Sequence, residues 1–337
     1  MRLNSFFLIM VSFLLVVGFC LGTGCAGSQE KPLTELRVSF ASRPINAPSI
    51  VAIEKGILEE RFAREGISVV WHELAGAEIS EALASGRIDI ATSFNSLSVL
   101  IAKAAGIDIK IMAGFSQFPE AIGLVAAENV GSMEDLRGGK VAVTKGTMLH
   151  EMIVKALAEA GMTADDVEVV NLDSPDALAA LIGGHVDAAV LPEPLLSKAL
   201  ASGNAALLRT AEGLILGQTV IAARSAFLEK YPDLAELFLQ AHDACLDYMA
   251  VHEEEVLMLC AAAVDMPPES VRALYPKFSF AARLEERDIL AMKASVAFLK
   301  EQHIINTDVS ADALLEQLTM TMDNGQWTMG TRDNGQG

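Results

Sequence analysis

Four short polar stretches hold the residues best suited to capturing a small polar molecule without covalent chemistry: Ser42-Arg43-Pro44-Ile45-Asn46, Ser93-Phe94-Asn95-Ser96, Lys145-Gly146-Thr147 and Leu191-Pro192-Glu193-Pro194. Arg43 carries a planar fork that matches a carboxylate, sulfonate or phosphate, or it pairs with a surface glutamate. Ser93, Asn95 and Ser96 either donate to an anion or cap the helix that follows. Lys145, Gly146 and Thr147 combine a cation, a closely approachable backbone and a hydroxyl, or they make an ordinary turn and N-cap. Glu193, if it faces a ligand, repels a bare oxyanion and favours an amine; otherwise it covers a helix N-terminus. His150 can hydrogen-bond a ligand or stay solvated, and Phe94, Phe115 and Phe118 can wall a site or pack in the core.

Motifs for bond-making are missing. His150-Glu151 and His252-Glu253 open like a zinc-protease pattern but lack the second His three residues after the Glu, so one helix face offers no ligand pair. There is no G-x-S-x-G elbow, P-loop or G-x-G-x-x-G. Cys245 and Cys260 have no close His or Cys partner and read as buried thiols or as an oxidised pair. No metal or cofactor is expected.

The elements that must position these stretches come from a duplication. Ala82-Leu83-Ala-Ser-Gly86-Arg-Ile88-Asp89-Ile-Ala91 matches Ala180-Leu181-Ile-Gly-Gly184-His-Val186-Asp187-Ala-Ala189 at a constant offset of 98 residues. Each copy is a helix end, a glycine suited to the left-handed cap, and an apolar strand. Asp89 and Asp187 fall at the strand starts, where they bond local backbone. Upstream, residues 37–42 and 140–145 are strands that each lead into a helix, and residues 148–160 repeat apolar positions at the helical period. Each half therefore alternates strand and helix, which predicts an α/β fold of two lobes, each a mainly parallel sheet with flanking helices. Sites in such sheets lie beyond the C-terminal strand ends, where the four polar stretches fall.

Strands at 109–114, 121–126 and 218–223 supply two crossings between the halves, a two-segment hinge on which Gln117 and Gln218 reach either a ligand or hinge backbone. From Arg224 the pattern is almost wholly helical. Residues 323–337, with Asp-Asn-Gly-Gln twice, read as a flexible tail.

The N-terminus is an address label. Residues 6–19 form an uncharged apolar run, shorter than the ~18–20 residues a membrane span needs and suited to a secretory signal. Leu21-Gly22-Thr23-Gly24-Cys25 resembles the lipobox of bacterial lipoproteins, with Gly22 where Leu is usual. The resemblance implies cleavage after residue 24, lipidation of Cys25, and a polar tether over 25–35. The chain of 337 residues has 44 acidic against 25 basic side chains, a net charge of -19, which argues against a broad nucleic-acid surface. Its aromatic content of 6% disfavours an aromatic cage for quaternary ammonium groups.

Gly56-x-Leu58, the stretch 82–93, Leu136-Arg-Gly-Gly-Lys140-Val-Ala-Val and Gly184-His-Val-Asp-Ala-Ala-Val-Leu-Pro-Glu-Pro194, in that order, resemble extracytoplasmic solute-binding proteins of ABC transporters. The group is the nitrate/sulfonate/taurine and thiamine-precursor one, and the likeness covers about residues 36–300. It implies a type II periplasmic-binding-protein fold, with lobe one at 36–116 plus 220–322 and lobe two at 117–219. It further implies a monomeric, lipid-anchored receptor on the outer face of the cytoplasmic membrane that passes a small molecule to an ABC permease, with no catalysis and no nucleic-acid partner. Two other readings share the scaffold: a pyrimidine-biosynthesis enzyme of the cytoplasm, and a ligand-sensing input module for a membrane signalling partner.

Overall fold

The computed structural model describes residues 33–41, 45–306, 308, 310–318, 320–323 and 326–329. The signal segment, Cys25, the tether up to residue 32, Ser42, Arg43 and residues 330–337 lie outside them.

The chain opens with β1 (Glu35–Phe40), α1 (Ala47–Lys55), α2 (Ile57–Ala63), β2 (Ser68–Glu73), α3 (Ala77–Ala84), β3 (Ile90–Asn95), α4 (Ser96–Ala104) and β4 (Ile109–Gln117). It crosses into β5 (Ile122–Ala127), β6 (Lys140–Val143), α5 (Met148–Glu159), β7 (Glu168–Asn171), α6 (Ser174–Ile182), β8 (Ala188–Pro192), α7 (Leu195–Ala201) and β9 (Ala205–Thr210). It returns through β10 (Gln218–Arg224) to α8 (Ser225–Lys230), α9 (Pro232–Val251), α10 (Glu253–Val264), α11 (Pro268–Leu274), β11 (Ser279–Phe280), α12 (Glu286–Glu301) and α13 (Ala311–Leu318).

Two large sheets result among the described residues, ordered β11-β4-β10-β3-β1-β2 and β7-β6-β8-β5-β9. Setting β11 aside, the orders coincide strand for strand: β2, β1, β3, β10, β4 correspond to β7, β6, β8, β5, β9. In each lobe one of these strands runs against the others, and it is the strand that follows a crossing: β10 is antiparallel to β3 and β4, and β5 to β8 and β9. The lobes thus share one topology and trade their reversed strand.

The matched aspartates do one job twice. Asp89 Oδ2 accepts from Arg37 N in β1 at 3.1 Å and Asp187 Oδ2 accepts from Lys140 N in β6 at 2.7 Å, so each bonds the backbone of the equivalent neighbouring strand, not the local backbone expected from the sequence. Asp89 is also buried between the guanidinium groups of Arg37 and Arg224, so its charge is compensated where burial would otherwise oppose it. Apolar side chains from α3, α4, α12 and α13 pack on β3, β4 and β10; those of α6 and α7 pack on the second sheet. Each such buried aliphatic side chain contributes roughly 1.5–3 kcal/mol.

Two segments, residues 118–121 and 211–217, connect the lobes and bond to each other and to the adjoining strand, Phe118 N to Leu216 O at 3.2 Å and Ala211 N to Ile122 O at 3.0 Å. Gly217 is required here. Its φ is +57°, and a Cβ would meet Phe118 C and Ile122 Cδ1 at 3.2 Å. Within the segment expected as a tail, β13 (Gln326–Met329) pairs antiparallel with β12 (Met320–Asp323), Asp323 opposite Gln326.

Candidate functional site

The first-lobe site begins with a distortion in β3. Phe94 pairs with Val220 and Ala91 with Ala222, so Thr92 and Ser93 oppose the single residue Ile221. At this bulge Ser93 takes a φ of +50°, sparsely populated for a residue with a Cβ, and its Oγ is buried without a partner among the described residues. The bulge turns the strand end toward α4. Asn95 caps that helix, its Oδ1 accepting from Leu97 N at 2.9 Å and Ser98 N at 3.3 Å.

A cavity of about 200 Å³ lies where the lobes meet. The first lobe contributes Ser96 and Leu97 at the start of α4, and Ala291, Met292, Ala294 and Ser295 on α12. The returning segment contributes residues 213–218, and the second lobe Met148, Glu151 and Lys155 on α5. Most of the lining is aliphatic; its polar groups are few and specific, as in ligand sites generally. Gln218 is 4% exposed and its Oε1 has no hydrogen-bond partner among the described residues.

Glu151 joins the lobes beside this cavity. Its side chain is 2% exposed; Lys155 Nζ lies 2.7 Å from Oε1, and the Ser295 hydroxyl donates to its carboxylate at 2.9–3.0 Å. His150, next to it, is buried rather than solvated. Its ring meets Phe298 of α12 edge-on at 5.4 Å, and desolvation, then the Lys145 charge, holds its pKa below the usual value.

The sequence-derived candidates disperse around this centre. Ser96 lines the cavity. Lys145 and Gly146 line a separate hollow of about 420 Å³ with His150, Gln302 and Ile304. Thr147 caps α5 through Leu149 N at 3.2 Å. Asn46 is buried and donates to Ala41 O at 2.6 Å. Glu193 is buried at the start of α7, where it accepts from Ser197 N at 3.1 Å and Ser197 Oγ at 2.9 Å and pairs with Lys277 of the first lobe. Phe94, Phe115 and Phe118 are core residues. Glu151, Lys155 and the α12 face carry no sequence signal for a site: no local motif says that a helix after residue 285 lies against α5. Gln218 is detectable only as a polar residue on a crossing strand.

Comparison with known proteins decides the family. Residues 44–256 match the family described as NMT1/THI5 like. The chain belongs to that family. This NMT1/THI5-like chain is 30% identical to a putative aliphatic sulfonates-binding protein of Bacillus subtilis (strain 168), over 78% of its own length and 80% of the relative. Its fold is that of the periplasmic aliphatic sulphonate binding protein SsuA from Escherichia coli, with a TM-score of 0.74 over 84% of this chain and 91% of that one, at 23% identity. The desulfurization enzyme DSZB has the same fold, with a TM-score of 0.65 at 16% identity over 83% of this chain and 96% of that one, so the fold alone does not separate binding from catalysis. The described cysteines here, Cys245 and Cys260, are free, buried thiols whose pKa burial pushes up to about 12, which makes them poor nucleophiles.

Proposed function

We propose that this protein is an extracytoplasmic solute-binding receptor, not an enzyme, that captures a small organosulfonate-type solute between its lobes and delivers it to an ABC permease. The observation that carries the reading is the cavity lined by both lobes and by the returning segment, in a chain whose B. subtilis relative is named for aliphatic sulfonates. Residues 36–116 with 220–322 act as one lobe and 117–219 as the other. The receptor works as a monomer tethered by a lipid on Cys25, so that diffusion to the permease is confined to the membrane surface. Of the loop residues, Ser96 lines the cavity and reaches the solute directly; the contacts expected of Ser42 and Arg43 fall outside the described residues. Asn95 and Thr147 hold the helices that line the cavity.

Occupancy of the cavity stabilises the folded, lobe-joined state by mass action, so saturating ethanesulfonate or taurine raises the melting temperature by several degrees. Ala294 is exposed on the cavity rim, and Ala294→Trp fills the space without disturbing the core. The variant should melt like wild type and lose the ligand-dependent shift. An equal shift in the two proteins places binding elsewhere. Metabolic labelling with palmitate tests the anchor: Cys25→Ser should carry no label and leave the membrane fraction, whereas retained label contradicts it.

A further inference from the structure

Resting on that reading, we infer that the solute is a zwitterion, a molecule with an ammonium group a few bonds from its oxyanion, and that Glu151 and Lys155 select it. The cavity, about 200 Å³, suits a small solute. Within it the charged lining groups are one carboxylate and one ammonium 2.7 Å apart. Glu151 uses its lone pairs on Lys155 and Ser295 and has acceptor capacity left; Lys155 spends one N–H on Glu151 and has two left. A bare anion entering beside Lys155 meets the Glu151 carboxylate as well, and a bare cation meets Lys155. A zwitterion sets each of its charges against the opposite one.

Gln218 supports the same answer. Its oxygen is unpaired in a residue 96% buried, a costly arrangement unless an occupant completes it. The unpaired oxygen is an acceptor, which the ammonium of a zwitterion can satisfy and a bare oxyanion cannot. Ser96 adds a hydroxyl at the start of α4.

Titration calorimetry on the purified full chain, with taurine, β-alanine, ethanesulfonate and ethylammonium as probes, tests this. Both zwitterions should bind at least ten-fold tighter than either singly charged probe. Glu151→Gln should reduce the advantage of taurine over ethanesulfonate to less than three-fold. Ser295→Ala, which removes the interlobe bond and keeps the carboxylate, should weaken the probes together and preserve the ranking. Ethanesulfonate matching taurine in the wild type, a comparison that needs no variant, overturns the inference and leaves the sulfonate receptor standing. β-Alanine binding without taurine or ethanesulfonate supports the zwitterion and removes the sulfonate. A folded protein that binds none of the four removes both.

Discussion

His242 shows how a single side chain can couple this fold to pH. It lies on α9 with its ring stacked on Phe115, centroids 5.6 Å apart, and its Nε2 has no partner among the described residues. Burial alone lowers its pKa to about 4, so the folded protein holds the neutral ring. Unfolding restores a pKa near 6.5, and between those values the unfolded chain binds the extra proton. The contribution is therefore complete above pH 6.5 and is lost as pH falls toward 4, a span worth roughly 3 kcal/mol. Thermal melts from pH 7 to pH 4 should steepen through this window and flatten in His242→Leu; a wild-type slope that persists in the variant assigns the acid sensitivity to other groups. At this scale the sequence is a partial guide. The duplication made Asp89 and Asp187 readable as equivalent positions but not their distant partners, and the burial of Glu151 and His150 depends on which helix of the other lobe meets α5, which no local pattern encodes.

At the scale of elements, repetition is what makes the fold legible. The 98-residue offset predicts two α/β halves, and the strand orders confirm a shared topology. The exchange of β5 and β10 between lobes is invisible to the repeat, since each reversed strand comes after a crossing and sits outside the matched segments. The strand ends also mislead in one respect: polar residues there are as able to cap helices as to hold ligand, and Asn95 and Thr147 do cap. The crossings concentrate the conformational demand at Gly217. Gly217→Ala should cost at least about 1 kcal/mol, because a Cβ at φ +57° is intrinsically strained and here also presses on Phe118. Urea denaturation with an unchanged slope and a lower midpoint is the expected result; an unaltered midpoint shows that the crossing relaxes around the methyl group.

Across the whole molecule, the acidic excess and the local charge of the site are separate matters. The net charge of -19 is distributed over a large surface and screened within ~8–10 Å by salt, so it does not dictate the sign of the solute. The charged groups lining the cavity between the lobes are a balanced pair, Glu151 and Lys155. The Glu151–Ser295 bond and the Glu193–Lys277 pair both join the lobes. The most direct test is a crystal structure of the protein grown with saturating taurine. The solute should lie between the lobes with its oxyanion at Lys155 and its ammonium at Glu151, within reach of Gln218. Taurine bound outside that cavity, or an empty cavity between joined lobes, would contradict the account.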